Sequence, residues 1–356
     1  MGNSLRGALA ALSFICAVAG GANANAHEVK TCESQPGGAT QAARRAEDVL
    51  RVLTPEQRKA ALRPRDRLSA IRWSNLPVGL VPRTGVRLGD LNPAQTVAID
   101  RLLRTALSSC GVDLLAEIRA ADGVLMPLDT RKIGWNPGNY YLAFVGEPAR
   151  NGRWILQIGG HHIAYNIAFN APRVSATPLF DGVEPVEFAI DDRSYEPLAP
   201  QAGAMRRLAR AVSGMPAVRL EGEFRDVTRG ATEQGDSNFP ITYPAGAAGR
   251  GASYASLDAT QKARVRDAMR TWVELPNAAI SKSLLADYSR PAALAQTFVG
   301  ISGSPDLSVP GSYVRIDGPR LWIEFIVQPA VSDPKKIHYH TIWRDKVADY
   351  GGAVLE

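Results

Sequence analysis

The chain has 356 residues and a formal net charge of +6, with 45% hydrophobic and 21% charged residues, values that exclude a disordered or low-complexity polypeptide. The basic excess is dispersed: Arg44-Arg45, Arg206-Arg207 and Lys335-Lys336 are pairs only. No basic helix or aromatic-basic interleaving marks a nucleic-acid track, so nucleic acid is excluded as a partner, while a mildly basic surface suits anionic substrates or envelope polymers.

The N-terminus reads as an export signal. Arg6 precedes an apolar run from Ala8 to Ala19, too short to span a bilayer, and small residues follow as Ala22-Asn23-Ala24 and Ala24-Asn25-Ala26. A lipoprotein signal does not fit, because bulky Ile15 precedes Cys16. Residues 1–26 are therefore expected to be a signal peptide and 27–356 a single domain, periplasmic or secreted, with no membrane span. With Cys16 removed, Cys32 and Cys110 are the remaining thiols, and an even pair in an oxidising compartment predicts a disulfide.

Helices come next. Thr54-Pro55-Glu56-Gln57 is a helix start in which Gln57 can reach back to the cap, and Asn92-Pro93-Ala94-Gln95 and Asp258-Ala259-Thr260-Gln261 repeat the device. Val97, Ala98, Leu102, Leu103 and Leu107 keep helical spacing, and Cys110-Gly111 is read as closing that helix. From Tyr140 to Phe188 the pattern turns to strands, with Arg153 to Phe169 almost continuously apolar and interrupted by Gly159-Gly160. A helix is expected around Met205 to Val212, then a Gly/Pro/Ser-rich loop from Thr228 to Ser253, then helices over Asp258 to Val273, Ser281 to Ala286 and near Pro291 to Phe298. Strands return at Tyr313 to Ile316, Leu321 to Gln328 and Ile337 to Arg344, the first two joined by a turn at Asp317-Gly318-Pro319-Arg320. Two strand blocks, with helices before and between them, predict an α+β fold with a mainly antiparallel sheet shared by both blocks.

The chain contains five histidines, and four of them form two tight clusters, His161-His162 and His338-Tyr339-His340. On a strand, His338 and His340 share a face roughly 6–7 Å apart, a spacing that suits two ligands of one ion. His161 and His162 would point to opposite faces if extended, so only one is expected at the site unless the backbone bulges at Gly159-Gly160; His162 is favoured because Asn166 lies on its face. Three histidines with an open position suit a divalent ion, whether zinc, copper or iron. Glu324, a charge within an apolar strand, and the neighbouring Arg344 and Asp345 are the candidate catalytic groups, for which an exposed face and an internal salt bridge are the bland alternatives. Hydrogen-bonded structural histidines, or a metal-free acid/base pair, are the alternatives for the clusters. His27 could chelate copper with the terminal amine if cleavage follows Ala26. The loop Asp236 to Tyr243 could cover a site. No nucleophile elbow, P-loop or dinucleotide-binding turn occurs.

These same residues carry a resemblance. Ile158-Gly159-Gly160-His161-His162-Ile163-Ala164-Tyr165-Asn166, Thr177-Pro178-Leu179-Phe180, Arg315-Ile316-Asp317-Gly318-Pro319, Ile323-Glu324-Phe325, His338-Tyr339-His340-Thr341-Ile342-Trp343-Arg344-Asp345 and Asp349-Tyr350-Gly351 resemble, in order, the motifs of the domain of unknown function 3500 family. One local departure is Pro334-Lys335-Lys336, where the family tends to have a Gly-Ala-Asn approach to the first histidine. The resemblance implies that both histidine pairs belong to the family pattern; it implies no activity. The functional expectation is an exported protein with a histidine-cluster metal site, a metal-dependent hydrolase being favoured over an oxidoreductase if it is an enzyme. The alternative is a non-catalytic protein that binds metal or an envelope ligand. Its partner would be a small molecule or an envelope polymer.

Overall fold

Side-chain caps set several helix starts in this computed structural model, which describes residues 31–170, 173–228 and 239–352. Residues 1–26, read above as a signal peptide, His27 and residues 236–238 of the loop 236–243 lie outside the described residues. Helices α1 (Ala39–Val52), α2 (Pro55–Ala61), α3 (Arg67–Ile71), α4 (Pro93–Ala106) and α5 (Ser109–Leu125) come before the main strands. Helices α6 (Ala199–Val212), α7 (Ala259–Val273), α8 (Ala278–Tyr288) and α9 (Pro291–Ala295) lie between the two strand blocks. All three expected capping boxes form: Thr54, Asn92 and Asp258 accept from the N–H of Gln57, Gln95 and Gln261, whose side chains accept in return from the cap N–H.

Several boundaries differ from the sequence reading: α6 starts at Ala199, α8 spans Ala278–Tyr288, and α9 ends at Ala295, with Phe298 opening a strand. Cys110 and Gly111 do not close α4; they lie in the first turn of α5, where the Ser108 hydroxyl accepts from Gly111 N–H at 3.3 Å. Gly111 is required there because a Cβ would stand 2.3 Å from the carbonyl oxygen of Leu275. Cys110 is disulfide-bonded to Cys32, with Cα atoms 5.1 Å apart across 78 residues of sequence. The bridge therefore ties residue 32 to the start of α5 rather than to the end of a helix.

The first strand block contains β1 (Leu62–Arg63), β2 (Val86–Arg87), β3 (Tyr141–Val145), β4 (Arg153–Gly160), β5 (Ile163–Asn170), β6 (Arg173–Ser175), β7 (Leu179–Val183), β8 (Phe188–Ile190) and β9 (Arg193–Tyr195). The second contains β10 (Ala252–Ser253), β11 (Phe298–Ser302), β12 (Tyr313–Asp317), β13 (Leu321–Pro329) and β14 (Ile337–Asp345). Among the described residues, twelve of these strands form one sheet in the order β1-β3-β4-β5-β7-β14-β13-β12-β11-β10, with β2 on β3 and β6 on β5. Every pairing is antiparallel except β1 with β3. The two blocks do share the sheet: they meet where β7 pairs β14, with His340 opposite Gly182 and Thr341 opposite Asp181.

Alternation along the strands sorts the two faces. Leu156, Tyr165, Leu179, Phe325 and Trp343 pack with Leu102, Met205, Leu208 and Trp272 of the helices. On the other face Ile155, Ala164, Phe180, Ile342, Ile326 and Tyr313 pack with Ile71, Trp73, Leu220, Val227 and Tyr350. That second face also carries, by the same alternation, Gln157, Asn166, Glu324, His338, His340 and Arg344, all buried. It is a buried polar face. No helix among the described residues is long and apolar enough to cross a membrane.

Two tests follow from this framework. The denatured, unreduced protein lacking residues 1–26 should show no free thiol, and reduction should lower stability by about 4–5 kcal/mol for a loop of this length; two titratable thiols would refute the bridge. Asp181, on the helix side of β7, is fully buried and accepts from Tyr165 Oη at 2.5 Å, while its Oδ2 has no partner among the described residues. Burial raises its carboxyl from 3.8 to about 7. The folded state thus holds a proton that the unfolded state has released, and stability falls as pH rises from about 4 to about 7. Asp181→Asn should flatten that slope, read from urea midpoints at pH 5 and pH 8; equal slopes in both proteins would contradict it.

Candidate metal centre

His338 and His340 lie two residues apart on β14 and present their imidazoles to the same face, as a strand requires. Their ring nitrogens are sorted by fixed acceptors. His338 Nδ1 lies 2.8 Å from the Pro329 carbonyl oxygen, and His340 Nδ1 lies 3.0 Å from Asp226 Oδ1. A carbonyl and a carboxylate only accept, so both Nδ1 atoms carry a proton and both rings turn Nε2 inward, away from those acceptors. Those two Nε2 atoms face each other at 3.2 Å. Burial, and next the neighbouring His340, pull His338 down to about 3, so its ring is neutral. A neutral His338 leaves its Nε2 lone pair aimed at His340 Nε2, and a cation there, a proton or a metal ion, holds the pair together. Nitrogens bound about 2.0–2.1 Å from a tetrahedral ion stand about 3.3–3.4 Å apart. The spacing therefore fits.

The third imidazole arrives from across the seam. His161 and His162 are not strand residues: they form the two-residue turn between Gly160 of β4 and Ile163 of β5, which pair with each other. The expectation of opposite faces fails here because a turn, unlike a pleat, does not alternate its side chains. His162 adopts φ 61°, its N–H donates to the Asn75 carbonyl at 2.9 Å, and its own carbonyl accepts from Gly182 N–H at 2.8 Å. Its ring lies 5.1 Å from that of His340 and 5.5 Å from that of His338, centroid to centroid. The possible ligand atoms of His162, His338 and His340 all fall within 4.8 Å of one another, and all three residues are buried. His161 stands beside this group with its ring stacked on that of His162 at 3.8 Å, and its Nδ1 is 2.6 Å from Asp122 Oδ1.

Gly182 makes the convergence possible. A Cβ there would lie 2.7 Å from His162 Cδ2 and 2.9 Å from His340 Cδ2, so any larger residue would wedge the two rings apart.

The other sequence candidates are placed as follows. Glu324 lies on the histidine face, but its carboxylate already accepts from Tyr313 Oη (2.6 Å), Trp322 Nε1 (2.6 Å), Thr228 N–H (2.7 Å) and Thr228 Oγ1 (3.2 Å). Its burial raises its pKa despite those donors. Arg344, fully buried on the same face, pairs with Asp349 at 2.9 Å. Asp345 points to the opposite, helix-covered face, where it accepts from Tyr288 Oη at 2.8 Å and pairs with Arg320 at 2.6 Å. Arg344 and Asp345 thus belong to two different ion pairs. Asn166 bridges Gln157 and the Pro178 carbonyl.

Sequence reasoning passed over Asp226, Asp122, Glu184 and Gly182. Glu184 accepts from Val331 and Ser332 N–H, with Oε2 3.9 Å from His338 Nδ1. Nothing local marks these acids, which reach their histidines over 39 to 154 residues of sequence. Gly182 alone carried a cue, a glycine amid the buried strand Leu179–Val183.

Fold and site define an α+β protein with one large, mostly antiparallel sheet and a buried three-histidine group able to hold a metal ion at the junction of its two halves. The chain belongs to the family described as Protein of unknown function (DUF3500), which it matches over residues 36–352, a range that includes every residue of the site. No curated protein and no solved structure matches it.

Gly182→Ala should cost about 1–3 kcal/mol through overpacking. The urea midpoint of the metal-free protein measures this, and an unchanged midpoint would mean that the rings have room to separate.

Proposed function

We propose that this is an exported metal-binding protein in which His162, His338 and His340 hold one divalent ion, zinc, copper or iron, per chain. The observation that carries the reading is the pair of Nε2 atoms 3.2 Å apart, each turned inward by an acceptor fixed on the far side of its ring, with His162 completing a buried group of three. Histidine ligands are ordinarily oriented by such outer hydrogen bonds to a carboxylate or a backbone carbonyl. The bridge between Cys32 and Cys110 supports a periplasmic or secreted location, since disulfides persist in oxidising compartments.

Metal-assisted hydrolysis is the activity to examine first, because three histidine donors match the ligand number of hydrolytic sites that keep a position for water. When bound, such an ion would lower the pKa of a water molecule or polarise a substrate oxygen. The engagement of Glu324 with four donors, and of Asp345 on the opposite face, supports the rival reading of a non-catalytic metal- or ligand-binding protein.

Elemental mass spectrometry on tag-free protein purified from periplasm should find about one zinc, copper or iron per chain. His338→Ala and His340→Ala should each release the ion without unfolding the chain. Unchanged metal content in both variants, or no uptake by the wild type after incubation with each ion, would overturn the assignment. Loaded protein that cleaves no ester, phosphoester or peptide substrate would leave the non-catalytic reading.

A further inference from the structure

This inference rests on the proposed metal centre and concerns what aims its third ligand. His338 and His340 sit on a strand, where the pleat sets their direction, and each is oriented through Nδ1. His162 sits in a turn at φ 61°, where no pleat fixes the side chain. Its ring instead lies flat against that of His161, 3.8 Å away and 26° from parallel.

His161 is itself clamped from the helix layer. Asp122, on α5 and 1% exposed, holds His161 Nδ1 at 2.6 Å. The Tyr140 hydroxyl bridges Asp122 Oδ2 at 3.0 Å and the His161 carbonyl oxygen at 2.9 Å, so side chain and backbone of His161 are gripped by one pair of residues. Trp135 lies beyond, its ring centroid 6.4 Å from that of His161. Tyr140 reaches this position because residue 160 is glycine: a Cβ there would stand 2.3 Å from Tyr140 Cδ1.

We propose that Asp122, His161 and Tyr140 form a positioning arm for His162, acting on metal affinity through the stacked rings rather than by ligation. The contact limits the rotation of the His162 ring. The carboxylate, by accepting a hydrogen bond from Nδ1–H, also makes the His161 ring electron-rich. That ring faces a His162 ring that becomes electron-poor once it donates to a cation, and the stack is favourable for that reason.

The test uses the mature, full-length protein with zinc(II) affinity measured by chelator competition and cobalt(II) absorption as a probe of ligand geometry. Asp122→Asn and His161→Phe should each still take up one ion, about 10–100-fold more weakly than wild type, with an altered cobalt(II) spectrum. His161→Phe keeps a ring in the stack while cutting the link to Asp122, and it covers the case in which the Asp122 variant does not fold. The double variant should be no weaker than the worse single one, because both substitutions break one device. Wild-type affinity and spectrum in the variants, or losses that add in the double variant, would overturn the arm while leaving the centre intact. Failure of the wild type to bind either ion would instead overturn the centre, and the arm with it.

Discussion

The pairing of β7 with β14 joins strands that are more than 150 residues apart in sequence, and most of what is distinctive in the molecule depends on it. Its register sets His340 opposite Gly182 and thereby leaves open the one position where a side chain would block the imidazoles. A one-residue slip would send His338 and His340 to the helix-covered face and place Tyr339 and Thr341 toward the loops. Slippage is opposed from both sides of the sheet, because Phe180 and Ile342 pack under the loops while Leu179 and Trp343 pack against the helices.

A sheet face that buries histidines, a glutamate and an arginine is costly unless each group finds a partner. Here loops supply some of the partners: Thr228 donates to Glu324 and accepts from Arg344, Asp226 holds His340, and the chain end supplies Asp349 to Arg344. The polar face is thus satisfied partly within the sheet and partly by segments outside it, and the apolar helix face supplies the conventional core. That division suits a site, since affinity and geometry can be set by loops without disturbing the packed layer beneath.

The histidines themselves were legible because they are few and clustered, and a period of two on a strand is enough to bring His338 and His340 together. His162 required more. Whether Arg153 to Asn170 is one strand or two turns on the two residues His161-His162, and an apolar run does not reveal a turn whose residues are themselves histidines. The acids that orient the rings were invisible for a related reason: Asp122 and Asp226 look like any other surface carboxylates in a helix and a loop, and only the packing of those elements brings them against the rings.

The chain by itself determined three of its helix starts, its strand periodicity and its α+β class, because capping boxes and apolar alternation act over a few residues. It also carried the pairing of Cys32 with Cys110, since only two cysteines lie beyond residue 26. Tertiary structure alone decided which face Glu324, Arg344 and Asp345 occupy relative to their partners, and which of the adjacent histidines enters the cluster. These outcomes rest on contacts between elements far apart in sequence, where the burial of a charge is settled by whichever partner the fold delivers to it.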